Sequence, residues 1–150
     1  MVRFSTGVVL FAALVVVSSG QEAKLTNAEV PPAVSSAATE KFPQAKFSNW
    51  SKETEDGKTT FEVSVADGAG KRDAVFSPEG ALVSTETSMK VSALPPAVKS
   101  AIQARYPSAR VSKAEKIMLA SNEVQYEVGL LKAAKKEVLL STDGKILKEE

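Results

Sequence analysis

VPPAVSSAATEKFPQAKF, from Val30 to Phe47, returns 64 residues later as LPPAVKSAIQARYPSARV, from Leu94 to Val111. Pro31, Pro32, Ala33, Val34, Ser36, Ala37, Pro43 and Ala45 match Pro95, Pro96, Ala97, Val98, Ser100, Ala101, Pro107 and Ala109. The likeness runs past the quoted stretches. Phe61-Glu62-Val63 answers Tyr126-Glu127-Val128, and KRDAVFSPEGALVSTE from Lys71 answers KKEVLLSTDGKILKEE from Lys135. The offset is 64, then 65, then 64 again, so a residue inserted in one turn is compensated in a later one. Within 150 residues this periodicity marks two copies of one supersecondary unit.

Each copy opens with a helix. Val30, Val34, Ala37, Ala38 and Phe42 recur at the spacing of one helical stripe, as do Leu94, Val98, Ala101, Ile102 and Tyr106. The paired prolines fit only a first turn, where a missing N–H costs nothing. Pro43 and Pro107 drive the residues before them out of helical geometry, which ends the helix. Four short alternating strands follow in each copy. Asp56-Gly57 is a favoured two-residue hairpin turn, and Asp67 to Gly70, Pro78-Glu79-Gly80 and Thr142-Asp143-Gly144 mark further turns. Short connections pair neighbouring strands antiparallel. The expected fold is α+β: two tandem αββββ repeats, at about 25–88 and 89–150, with helices on one face of antiparallel sheets and the other face open.

The first twenty residues differ in kind from the rest. MVRFSTGVVLFAALVVVSSG has a basic Arg3, an apolar run from Gly7 to Val17 and small residues at Ser18, Ser19 and Gly20. That is the pattern of a secretory signal over residues 1–20, cleaved after Gly20, and the run is short for a membrane span. An exported protein, periplasmic or secreted, with no stable membrane insertion after cleavage is expected, and residues 21–150 are expected to form a single domain. Removing the signal takes Arg3 from the nineteen basic residues and leaves eighteen against eighteen acidic ones. A neutral chain lacks the charge footprint of a nucleic-acid binder. With no cysteine there is no disulfide, so a packed core must supply the stability.

The order of these motifs resembles the PepSY-like, β-lactamase-inhibitor-protein-like family of exported domains. The resemblance rests on the LPPAVKSAI…YP helix, the strand carrying Trp50, the aromatic-Glu-Val strand and the FSPEG and LSTDG hairpins, and covers residues 25–150. It implies two helix-plus-sheet repeats with a curved sheet surface and the helices behind it. It also implies an exported bacterial protein, in a family most of whose members have no assigned activity and whose namesake inhibitors grip an enzyme with their sheet. The namesake inhibitors carry disulfides and an aromatic-rich concave sheet. This chain has no cysteine and a single Trp, so inhibition of a β-lactamase is not implied.

The absence of histidine and cysteine removes the commonest general base, the thiol nucleophile and most transition-metal ligands. Asp56, Asp67, Asp73, Asp143 and their Glu neighbours are expected largely in turns or solvated strand positions, and a turn Asp bonds the local backbone. Asp67-Gly68-Ala69-Gly70 lacks phosphate-loop spacing and a following helix. No enzyme, metal or cofactor is expected. Trp50 is the candidate anchor of a binding site. Alternation from Ala45 and Phe47 on the helix-covered side puts Lys46, Ser48 and Trp50 on the open face, with Glu62 and Ser64 beside them. A bulge returning Trp50 to the core is the structural alternative. The expected partner is an unidentified protein or peptide of the cell envelope, with modulation of an envelope enzyme as the family-like version. Sensing of a small molecule or ion, and a purely structural role, are the competing classes.

Overall fold

The computed structural model describes residues 21–150, and the expected export signal lies outside the described residues. A strand β1 (Gln21–Lys24) precedes a 3-10 turn at Asn27–Glu29, then α1 (Pro32–Lys41), β2 (Lys46–Glu55), β3 (Lys58–Asp67), β4 (Gly70–Phe76) and β5 (Leu82–Ser88). A second 3-10 turn at Val91–Ala93 leads to α2 (Pro96–Arg105), β6 (Arg110–Leu119), β7 (Val124–Leu131), β8 (Glu137–Ser141) and β9 (Ile146–Glu149). Pro32 and Pro96 open the two helices at their first positions, and Phe42 and Tyr106, the residues before Pro43 and Pro107, cap them with φ near −130°.

All nine strands belong to one antiparallel sheet in sequence order, β1 to β9. The two quartets expected from the repeat are therefore joined edge to edge by the β5–β6 pairing. The sequence reading had no place for β1, which lies ahead of residue 25. Its pairing explains it: Lys24 opposite Ser51 is repeated 64 residues on as Ser88 opposite Glu115. β1 thus stands to β2 as β5 stands to β6.

The helices cover one side of the sheet. Val34 and Ala38 of α1 are buried with Phe61, Val63, Val65, Ala74 and Phe76. Val98 and Ile102 of α2 are buried with Tyr126, Val128, Leu130, Val138 and Leu140. Two glycines let hairpins close onto the helices. Gly80 has φ +87° and Gly144 φ +84°, and a Cβ there would lie 2.6 Å from the Ala33 carbonyl oxygen and 2.5 Å from that of Ala97. Repeated glycine in the FSPEG and LSTDG turns is therefore required by both backbone conformation and space.

The other side is concave. In a flat sheet β2 and β9 would stand about 34 Å apart, seven interstrand spacings. Instead Lys148 Nζ of β9 lies 2.8 Å from Glu55 Oε1 of β2. The sheet has free edges yet curls so that its two ends meet across the helix-free face. The open face expected from the repeat is the floor of a trough.

Candidate functional site

The floor of the trough is laid by strand alternation, because residues on either side of a core position must point away from the helices. Glu62 lies between buried Phe61 and Val63, and Glu127 between buried Tyr126 and Val128. Both therefore face the trough. The same rule places Asp73 of β4, Glu115 of β6 and Glu137 of β8 there; cross-strand pairing adds Glu86 of β5 opposite Asp73, and Glu53 of β2, two residues beyond Ser51, with Glu22 of β1 opposite it. Together with Ser51 and Lys113 these residues line a cavity of ≈ 290 Å³. A second cavity of ≈ 540 Å³ adjoins it and shares Asp73 and Glu86; it continues past Ser48, Ser64 and Lys71.

Apolar neighbours make this floor a poor medium for charge. Glu62 faces Val75 across the sheet, Glu86 faces Ile117 and Glu127 faces Leu139. Val75 is 8% exposed, Ile117 0% and Leu139 5%. Burial beside these aliphatic groups is the main reason the carboxyls hold their protons. Glu62 and Glu127 are pushed up to about 7 and Glu86 to about 8. Neighbouring carboxylates add to the effect: Asp73 acts on Glu62, Glu62 on Glu86, and Glu137 on Glu127, where Lys113 opposes the rise. Glu53 is also raised, by burial and by Glu55. Lys113 Nζ stands 3.3 Å from Glu115 and 3.4 Å from Glu127. Among the described residues Glu62 and Glu86 have no such ion pair.

Three of the five residues expected to form a site do meet here. Ser48 stands opposite Ser64, and Ser51 opposite Glu62. Ser64 Oγ donates to Asp73 Oδ1 at 2.7 Å, and Asn49 Nδ2 donates to Ser64 Oγ at 3.5 Å. Lys46 is exposed at the start of β2 and lines neither cavity.

Trp50 is not on this face. Three steps of β2, Ser48 to Ser51, span two steps of β3, Ser64 to Glu62, so β2 carries one extra residue. Asn49 absorbs it with φ +53°, a bulge that reverses the alternation beyond it. Trp50 turns under α1, where it is 6% exposed and its ring centroid lies 6.1 Å from that of Phe47. The second copy has a register shift between Val111 and Lys113, and Ala114, the counterpart of Trp50, is also buried.

Sequence reasoning missed most of the acidic floor, although the signal was present. Glu22 and Glu86, Asp73 and Glu137, and Glu62 and Glu127 are pairs related by the repeat. In each aromatic-Glu-Val triplet the Glu separates two core residues. Among the described residues no three carboxylates converge closely enough to hold a metal ion. They are spread along the trough.

A family model described as "Putative beta-lactamase-inhibitor-like, PepSY-like" matches residues 16–83 and again residues 59–148. Among solved structures, a DUF2874 family protein from Bacteroides uniformis superposes with a TM-score of 0.62 at 19% identity, over 80% of this chain and 88% of its own. A Bacteroides eggerthii structure described as "putative periplasmic proteins" gives 0.61 at 17% identity, over 81% and 88%. A BLIP-like protein from Bacteroides fragilis gives 0.56 at 20% identity, over 79% and 83%. At these identities the likeness is one of fold. No curated protein matches the chain.

Proposed function

The chain belongs to the PepSY-like family, and from that premise we propose that it is an exported, non-enzymatic binding protein whose concave sheet face takes a protein or peptide and so modulates an enzyme of the cell envelope. The observation that carries this reading is the trough itself, a helix-free face whose two adjoining cavities share Asp73 and Glu86. Small-molecule sites are typically enclosed and mainly apolar with a few polar groups. The two cavities are lined mainly by polar side chains and are not sealed off, which suits the side chains of another polypeptide. The binding residues are Ser48, Glu62 and Ser64, with Asp73 and Glu86, and without Trp50.

Affinity capture from an envelope extract tests this with three baits. These are the exported protein, its Ser48→Trp variant, which fills the trough at an exposed position, and a Thr39→Trp variant on the exposed side of α1. A polypeptide held in stoichiometric amount by the first and third baits but not by the second is the expected result. A polypeptide held equally by all three, or recovery of a glycan or metabolite in its place, overturns the reading.

A further inference from the structure

The trough has a one-sided shortage of hydrogen-bond donors. Among the described residues, the buried side-chain polar atoms without a partner are Glu53 Oε1, Glu55 Oε2, Gln125 Oε1 and Glu150 Oε2. All four are acceptors. Register puts their residues on the concave side: Glu53 pairs with Glu22, Glu55 follows two residues later, Gln125 pairs with Ile117, and Glu150 exchanges backbone bonds with Glu137; of the four, Glu53 lines the acidic cavity, while Glu55 and Glu150 each hold Lys148 through the other oxygen. Gln125 is 6% and Glu55 9% exposed. A buried acceptor without a donor is costly. Lysine and arginine are the side chains that donate only and bring positive charge.

The internal repeat shows how such a side chain sits. In the second copy the Lys113 ammonium lies between Glu115 and Glu127. The corresponding positions of the first copy are Asn49, Ser51 and Glu62. Glu62 is kept while the lysine is replaced by a neutral residue, whose amide turns to Ser64. Ser51 lines the acidic cavity, is 7% exposed, and its hydroxyl makes no side-chain hydrogen bond among the described residues.

We propose that the trough receives a basic peptide segment, one of whose lysine or arginine side chains seats at Glu62 beside Ser51, as Lys113 seats at Glu127 beside Glu115. This deepens the binding reading, on which it rests, by naming the chemistry of the partner. The carboxylates are spaced along the strands and do not converge on a point, which favours an extended chain over an inorganic ion. An extended segment presents alternate side chains about 6.8 Å apart, on the scale of neighbouring strand positions in the floor. The larger cavity beside Asp73 and Glu86 gives room for flanking residues.

The test uses acetyl-tetralysine amide as probe, titrated into the exported protein at pH 8 and low salt and followed by calorimetry and by NMR. Acetyl-tetraglutamate amide and calcium chloride serve as comparison probes. Tetralysine is expected to shift resonances of the concave strands, and tetraglutamate to shift none. The Glu62→Gln and Glu86→Gln variants should each weaken tetralysine binding by about tenfold, the scale of one partly buried charge pair. Glu40→Gln, on the exposed side of α1, should leave it unchanged. Melting curves establish that each variant is folded, and either trough variant alone suffices. Equal weakening by Glu40→Gln overturns the proposal, because it means diffuse attraction. So does calcium chloride producing the same shifts, or no tetralysine binding at all. Absence of tetralysine binding alongside a trough-dependent partner in the capture experiment refutes the cationic chemistry alone. Tetralysine seated at Glu62 with no captured polypeptide refutes the envelope partner alone.

Discussion

Raising the pH from 5 to 8.5 should destabilise this protein, against the usual trend for carboxylate-rich surfaces. Glu62 and Glu127 are raised from 4.5 to about 7 and Glu86 to about 8, so the folded chain binds their protons more tightly than the unfolded chain does. Their contribution is therefore fully present below pH 4.5 and is lost as pH rises through 7 and 8. A displacement of about two and a half units, as for Glu62, corresponds to roughly 3 kcal/mol for one such group. The three share one trough, so ionising one raises the cost of ionising the next and the loss is spread between pH 6 and 9. Groups shifted the other way act outside this window. Glu149 is held down by its hydrogen bonds to Arg105 and Tyr106, and Asp67 by Arg72; these contributions disappear only as pH falls below the usual carboxylate range. With roughly 3 kcal/mol as the working value, the Tm should fall by about 10 °C between pH 5 and 8.5 for a domain of this size. Circular dichroism melts at constant ionic strength measure this directly. Glu86→Gln supplies the internal control. It should raise the Tm at pH 8.5, where it removes a buried charge, and change it little at pH 5, where it replaces a neutral acid of the same shape. A Tm that rises with pH across this window, or a Glu86→Gln variant destabilised equally at both pH values, refutes the reasoning.

Trp50→Ala should cost about 3–5 kcal/mol in urea unfolding, as expected for a large aromatic removed from a core, and the wild-type emission should be blue-shifted and resist small quenchers. An unchanged midpoint would mean that Trp50 is not packed under α1. Gly80→Ala and Gly144→Ala should each destabilise more than Gly57→Ala. All three positions have positive φ, but only the first two bring the new methyl against a helix carbonyl, whereas nothing lies within 4 Å at Gly57. Strained backbone of this kind costs about 1–3 kcal/mol; equal losses at all three would show that the close approach carries no energy.

The helices and hairpins were legible because their causes are local. The Pro-Pro start, the proline after Phe42 and Tyr106, and the Asp-Gly turns act within a few residues of themselves. The face of Trp50 was not legible for a related reason. Alternation fixes a face only while the register holds, and one extra residue at Asn49 inverts it. Lys46 and Ser48, ahead of the bulge, keep the expected side, and Glu62 and Ser64, on an unbulged strand, keep theirs. β1 was missed because its four residues, Gln21 to Lys24, are all exposed and show no alternation; only its partner strand defines it. The acidic floor required knowing which strands are neighbours and that the sheet curls. That Lys148 of the last strand reaches Glu55 of the second is a consequence of accumulated twist, with no signature at either residue.

The correspondence between β1 and β5 gives the sheet a direction of growth. β5 uses one edge to pair with β6 of the next copy and the other to pair with β4 of its own. β1 repeats the first of these pairings, and among the described residues its outer edge is bare. The rule that adds the second copy to the first is thus a head-to-tail operation, which by itself has no last step: applied again it would lay another β4 against β1 and build a filament. Two features terminate the series. Among the described residues β1 carries Glu22 and Lys24, and a charged edge resists strand addition. At the far end the curl brings Lys148 back onto Glu55. The described residues form a two-unit segment of such a lattice, bounded by the sheet's own curvature and by one charged strand.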